Sequence, residues 1–244
     1  MRTLVLGDIH GHSSWRSIVN NEEYDNVVFL GDYLDAFGVI PEDIADNLLS
    51  IIKFKEKMGD KCRLCYGNHD HSYWNSERCS GYNWHGRHMY MPLLEDMFRE
   101  NMLDLIYIQD DIIFSHAGVS DFWMRNIAGF SDPKDITFKN IEEQYTGKVV
   151  GNGIEVKDTG LDLLNWNSYA GYDGYGNTIS QSPIWIRPQS LLKSKVDGYR
   201  QIVGHTNMGT PVDEQGLYFN DLLPDYYIIV DDGNIEFVEN KFKK

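Results

Sequence analysis

Along the first seventy residues, short apolar runs alternate with a longer amphipathic one. Thr3–Leu6, Val27–Leu30 and Arg63–Tyr66 are brief and rich in β-formers, and they end at Gly7-Asp8, Gly31-Asp32 and Gly67-Asn68. Short apolar runs bounded by glycine predict buried strands. Between the second and third runs, Pro41–Met58 changes period. Pro41 suits a first helical turn, and Glu42 and Asp43 follow where the helix dipole favours negative charge. Ile44, Leu48, Ile51 and Ile52 then fall on one face. Pro92–Asn101 predicts a second helix, with Leu93, Leu94, Met97 and Phe98 turned inward. Strand and helix in alternation predict an α/β architecture, a sheet covered by helices.

The second half is less regular. Ile112–Ser115 and Tyr199–Val203 predict strands ending at His116-Ala117-Gly118 and Gly204-His205. Tyr226–Val230 and Ile235–Val238 flank Asp231-Asp232-Gly233-Asn234, a hairpin pattern. Asn165–Ser182 reads as a long loop of Gly, Tyr, Asn and Ser, a kind usually functional or mobile inside a domain. No repeat or linker divides the 244 residues, so one domain over 1–244 is expected.

Composition narrows the class. The chain is 42% hydrophobic and 24% charged, which excludes global disorder. No apolar run approaches the ~20 residues of a membrane span, and no signal-peptide core or lipidation motif is present, so a cytoplasmic soluble protein is expected. With 22 Lys+Arg against 37 Asp+Glu the formal charge is −15. That removes the basic footprint of a long nucleic-acid partner. A phosphate substrate stays open, because bound cations can invert the local sign of a site. Cys62-x-x-Cys65 admits half a zinc site or a redox pair, but no second CxxC completes it. On a strand the two side chains would point to opposite faces, so buried small hydrophobes are the better reading.

The chemistry gathers at the strand ends. Gly7-Asp8-Ile9-His10-Gly11, Gly31-Asp32-Tyr33-Leu34-Asp35, Gly67-Asn68-His69-Asp70, Ser115-His116-Ala117-Gly118 and Gly204-His205-Thr206 each follow an apolar run. Strand C-termini in α/β folds are where ligands collect. Any one tip reads equally well as a capped strand end, but five of one chemistry do not. They offer oxygen and imidazole donors without thiolate, a set suited to Mn, Fe, Ni or Zn.

This ordered set, GDIHG, GDYLD, GNHD, SHAG and GHT, resembles the calcineurin-like metallophosphoesterase superfamily, and most of all its phosphoprotein-phosphatase and diadenosine-tetraphosphatase branch. The resemblance spans Gly7 to Thr206. It implies a four-layer α/β sandwich, two mixed central β-sheets flanked by helices, with two divalent metals at the strand tips. Manganese is foremost among them, with iron, zinc or nickel as alternatives. It implies that Asp8 and His10 hold the first metal, that Asp32 bridges both, and that Asn68, His116 and His205 complete the second. Two such cations lower the pKa of a bridging water toward ~7, and the hydroxide attacks phosphorus. The motif assigns His69 as general acid and Asp35 as the carboxylate that orients it, though turn capping is the alternative for Asp35. Where several branches carry a further metal-binding His, this chain has Asn207, as the phosphoprotein branch does.

Two departures bear on substrate. The usual GDxxDRG continues here as Ala36-Phe37-Gly38, so the Arg that grips phosphate is missing, and Asp70 stands where the branch usually has Glu. Arg187, in Pro183-Ile184-Trp185-Ile186-Arg187-Pro188, is the first candidate to replace that Arg, with stacking on Trp185 as the alternative. Arg87, beside His88, is the second, with a solvated aromatic loop as the alternative. Aromatic residues cluster in Tyr82–Tyr90 and Trp166–Tyr175, either as a stacking wall for a base or phosphotyrosine ring or as ordinary packing. The expected activity is hydrolysis of phosphomonoesters, whether small molecules or serine, threonine or tyrosine phosphoproteins. Hydrolysis of dinucleoside polyphosphates or phosphodiesters is the rival activity, and a non-catalytic metal-binding scaffold is the rival of another class.

Overall fold

The structure, a computed structural model, describes residues 1–75, 78–145, 160–165 and 177–242. The first half runs β1 (Arg2–Leu6), α1 (Ser14–Asn21), β2 (Asn26–Phe29), α2 (Pro41–Met58), β3 (Cys62–Cys65), α3 (Asn68–His71) and α4 (Arg87–Arg99). The middle runs β4 (Leu103–Asp104), β5 (Ile106–Gln109), β6 (Ile112–Ser115), α5 (Phe138–Tyr145) and α6 (Pro188–Lys193). The chain ends through β7 (Arg200–Val203), β8 (Val212–Glu214), β9 (Leu217–Phe219), β10 (Tyr226–Asp231) and β11 (Asn234–Glu239). Apart from Asn165 and residues 177–182, the loop expected at Asn165–Ser182 lies outside the described residues.

The strands form two mixed sheets, ordered β11-β10-β1-β2-β3-β4 and β5-β6-β7-β9-β8. Within the first, β1 to β4 are parallel and the β10–β11 hairpin is antiparallel. Within the second, β6, β7 and β9 are parallel between antiparallel edges β5 and β8. The period-2 alternation of each strand divides its residues between two cores. Val5, Val28, Leu30, Cys65, Ile228 and Val230 of the first sheet meet Ile112, Phe114 and Ile202 of the second. The opposite face of the first sheet, with Leu4, Leu6, Val27, Phe29 and Leu64, packs under α1, α2 and α4. On the outer face of the second, Val203, Leu217 and Phe219 meet Ile186 and Leu191 of the α6 region. This is the four-layer arrangement expected. A buried hydrogen bond from Thr3 Oγ1 to Gln109 Oε1, 2.8 Å, ties one sheet to the other.

Cys62 faces the helices and Cys65 the space between the sheets, so the CxxC does not form a pair, and all three cysteines are free. Helix α2 keeps the predicted bounds and buries Ile44, Leu48, Ile51 and Ile52. Helix α4 begins at Arg87, five residues ahead of the Pro92 expected to open it. The extra turn buries Tyr90 completely against Tyr73, ring centroids 5.4 Å apart, and that burial outweighs the backbone bond Pro92 cannot donate. No helix among the described residues is long and apolar enough to cross a membrane.

Phe114 fills the centre of the inter-sheet layer. Phe114→Ala should lower the unfolding free energy by about 3–5 kcal/mol, read from urea denaturation. A loss below about 1 kcal/mol would show that the two sheets do not pack through this residue.

Candidate metal centre

Both sheets aim their parallel strand ends at one place. Asp8 and His10 follow β1, Asp32 and Asp35 follow β2, Asn68 and His69 follow β3, His116 follows β6, and His205 follows β7. Leaving each strand, the backbone must turn sharply, and several of these residues carry the turn themselves. His10, Asp32, Asp35 and His205 have φ of 41°, 50°, 62° and 64°. The left-handed region is uncommon outside glycine and costs on the order of 1–3 kcal/mol per residue, an expense that clusters at working sites. Two glycines give the carboxylates room. A Cβ on Gly67 would lie 2.1 Å from Asp32 Oδ1, and one on Gly204 would lie 2.0 Å from Asp8 Oδ1.

The outer partners of the histidines fix which nitrogen faces inward. His116 Nδ1 donates to Leu30 O at 2.9 Å, and His205 Nε2 donates to Trp185 O at 3.1 Å. That leaves the lone pairs of His116 Nε2 and His205 Nδ1 facing each other at 3.2 Å. Asn68 Oδ1 stands 2.8 Å from the first and 2.9 Å from the second, its amide turned that way by Nδ2 donating to Cys79 Sγ. Three acceptors so close repel one another unless a cation lies among them. Asp32 Oδ2 joins them, 3.3 Å from His116 Nε2. On its other side, His10 Nδ1 donates to Leu34 O at 2.9 Å and turns Nε2 to within 3.7 Å of the same Asp32 oxygen. Asp8 Oδ2 lies 4.0 Å from that His10 nitrogen. His10, Asp32 and His69 form one cluster whose ligand atoms lie within 4.8 Å, and Asp32, His116 and His205 form another. Asp32 is common to both. The donor set therefore fits two divalent cations flanking Asp32.

The electrostatics agree. Burial pushes the Asp8 carboxyl well above its ordinary value, with Asp221 and Asp32 adding repulsion. Burial raises Asp70 as well, with Asp32 adding to it. Burial also presses on Asp32, but the imidazoles of His116, His69, His10 and His205 outweigh it and hold that carboxyl low. Burial lowers His116 and His205. His69 moves the other way. Burial pulls it down, but Asp32 and the hydrogen bond to Asp35 prevail and raise it.

His69 Nδ1 meets Asp35 Oδ2 at 3.1 Å, and its Nε2 faces the cavity, 4.0 Å from Asp32 Oδ2. The other Asp35 oxygen accepts from the Tyr73 hydroxyl. Asp70 is buried beneath, accepting from the N–H groups of Tyr33 and Gly67 at 2.9 and 3.1 Å. These bonds brace the turns after β2 and β3.

The site opens into a cavity of about 410 Å³, walled beyond the metal-facing residues by Arg78, Cys79, Ser80, Trp185, Arg187 and Asp221. Arg187 is thus at the site, its Nη1 donating to His205 O and Thr206 Oγ1 at 3.2 and 3.0 Å. Arg87 is exposed and outside this wall, donating to Tyr73 O at 3.4 Å. Arg78 lies over the rings of Tyr82 and Trp84, 4.5 and 5.0 Å from their centroids. The aromatic segment Trp166–Tyr175 lies outside the described residues.

Sequence reading did not single out Tyr73, Arg78, Cys79 or Asp221. Tyr73 had a signal, since it falls four residues after His69, one helical turn on. Asp221 follows the three-residue β9, too short a run to mark as a strand, and burial pushes its carboxyl up to about 6.

The sequence pattern of the calcineurin-like phosphoesterases matches residues 1–220. None of the curated protein sequences matches the chain. Among solved structures, the fold is similar to a cold-active protein tyrosine phosphatase of a psychrophilic Shewanella species, with TM-score 0.63 and 14% identity over 99% of this chain and 78% of that one. It is also similar to a protein serine/threonine phosphatase from Saccharomyces cerevisiae, with TM-score 0.53 and 18% identity over 98% of this chain and 80% of that one. Members of the matched family generally use two divalent metal ions. Motif order and sheet architecture thus agree, and the chain belongs to the calcineurin-like phosphoesterase family.

Proposed function

We propose that this chain is a cytoplasmic phosphatase of one domain over 1–244, using two metals, manganese foremost, to hydrolyse phosphomonoesters of small molecules or phosphoproteins. The observation that carries the reading is Asp32, whose Oδ2 lies 3.7 Å from His10 Nε2 on one side and 3.3 Å from His116 Nε2 on the other. Asp8, His10 and Asp32 would hold one cation, and Asp32, Asn68, His116 and His205 the other. Two divalent cations held there would supply Lewis-acid polarisation of the phosphoryl oxygens and a water of pKa lowered toward ~7.

The residues around the metals have separate work. His69, with Nδ1 engaged by Asp35, presents Nε2 to the cavity and gives a proton to the departing oxygen. General-acid help of this kind is worth typically ~10²–10⁴-fold. Arg187, on the cavity wall, is placed to orient the phosphate by charge, and it is a better candidate than Arg87, which lies outside. A second reading, hydrolysis of dinucleoside polyphosphates or phosphodiesters, draws on Trp84. That ring is 67% exposed beside Arg78 and is a surface on which a base can stack.

The reading is tested by turnover of p-nitrophenyl phosphate and bis-p-nitrophenyl phosphate on chelator-stripped protein, with and without Mn²⁺. Manganese-dependent hydrolysis led by the monoester is expected. A faster diester favours the second reading, and bound metal without turnover on either ester returns the scaffold alternative.

His69→Ala should keep two equivalents of metal and lose about 10²-fold or more on phenyl phosphate, whose leaving group needs the proton. Loss of metal in that variant would instead make His69 a ligand. Asp32→Ala should lower occupancy of both positions in metal analysis, and two full equivalents would remove its bridging role.

A further inference from the structure

Tyr73 is buried beneath the site, 1% exposed, and belongs to none of the strand-tip motifs. Its hydroxyl has one proton to give. Asn83 N–H donates to that oxygen at 3.1 Å, and the proton is left for Asp35 Oδ1, the acceptor it touches. The second oxygen of the same carboxylate faces His69 Nδ1 at 3.1 Å. An ionised carboxylate has only acceptors, so both neighbours donate to it. His69 therefore carries hydrogen on Nδ1, and Nε2 is the nitrogen presented to the cavity.

Asp35 sits at φ 62° with its carboxylate buried, and beside His69 a second side chain anchors that carboxylate. The Tyr73 hydroxyl is that anchor, and the tyrosine ring is itself immobilised. Tyr82 stacks on it at 4.4 Å and Tyr90 meets it edge-on at 5.4 Å.

We propose that Tyr73 is a positioning residue for the phosphoester reaction, fixing the Asp35 carboxylate and through it the tautomer and aim of His69. The inference rests on the phosphatase reading above and adds a member to its acid machinery. When His69 passes its Nε2 proton to the departing oxygen, Nδ1–H stays directed at Asp35 and Tyr73 keeps its own proton. The tyrosine supplies orientation alone.

The test compares wild type, Tyr73→Phe, Asp35→Asn and the double variant on p-nitrophenyl phosphate and phenyl phosphate, with metal content measured in each. Tyr73→Phe should retain two equivalents of metal and slow phenyl phosphate about 10–100-fold, the scale of a misaimed catalytic group. p-Nitrophenyl phosphate, whose p-nitrophenolate leaves without a proton, should change less than about threefold. Acting through Asp35, the change should add nothing to Asp35→Asn in the double variant. In metal-free protein, the low-field proton resonance of His69 Nδ1–H should broaden or vanish in Tyr73→Phe. Equal losses on both substrates, losses that multiply with Asp35→Asn, or an unchanged resonance would overturn the inference while leaving the phosphatase reading intact. Wild-type protein inactive on both esters would defeat that reading and this inference with it.

Discussion

The structure is organised around a repulsion. Asp8, Asp32 and Asp70 are buried close together, and the lone pairs of His116, His205 and Asn68 face one another within 3.2 Å. Proteins do not gather such groups without compensation, because buried charge and unpaired acceptors each cost several kcal/mol. Internal bonds compensate in part: backbone N–H groups on Asp8 and Asp70, and carbonyls holding the far side of each imidazole. The remainder calls for cations. The two-sheet sandwich serves this end, because only the meeting of two sets of parallel strand tips puts donors on both sides of Asp32.

The turns that deliver these donors are costly in a second way. Four site residues occupy the left-handed region, and two glycines admit carboxylates where no Cβ would fit. A layered core of large apolar side chains on each face of both sheets offsets that strain. Rigidity follows from the same source. The strand tips are short excursions from deeply buried strands, so the side chains they carry are anchored to the core.

Much of this was legible in the sequence because local chemistry and tertiary demand coincide there. Helix α2 carries Pro41, two acids and an apolar face, and nothing in the fold contradicts them. The strand tips stood out because glycine, carboxylate and imidazole recur after each apolar run. Legibility failed where an element is too short or is set by distant packing. Helix α1 has the right spacing in Trp15, Ile18 and Val19 but spans only eight residues. Strands β8 and β9 have three residues each. The start of α4 is decided by Tyr90 meeting Tyr73, a contact no local pattern announces. For the same reason Tyr73 and Cys79 escaped notice. Their importance lies in what they touch, Asp35 and Asn68, and those contacts exist only once β2, β3 and the following loop are packed together.

The pairing of β1 has a consequence for the order in which the molecule is assembled. Its partner β10 is more than two hundred residues away, with Arg2 opposite Asp231 and Val5 opposite Ile228. The His205 backbone reaches Asp8 across 197 positions. During synthesis the first metal-facing carboxylate emerges long before the strands and the histidine that enclose it. Contacts this distant in sequence are slow to form, since loop closure precedes their reward. The donor set is therefore scattered in a partly made chain and complete only in the finished fold. Cations held by these donors would act as a clasp between the two ends, so opening either end would mean surrendering them.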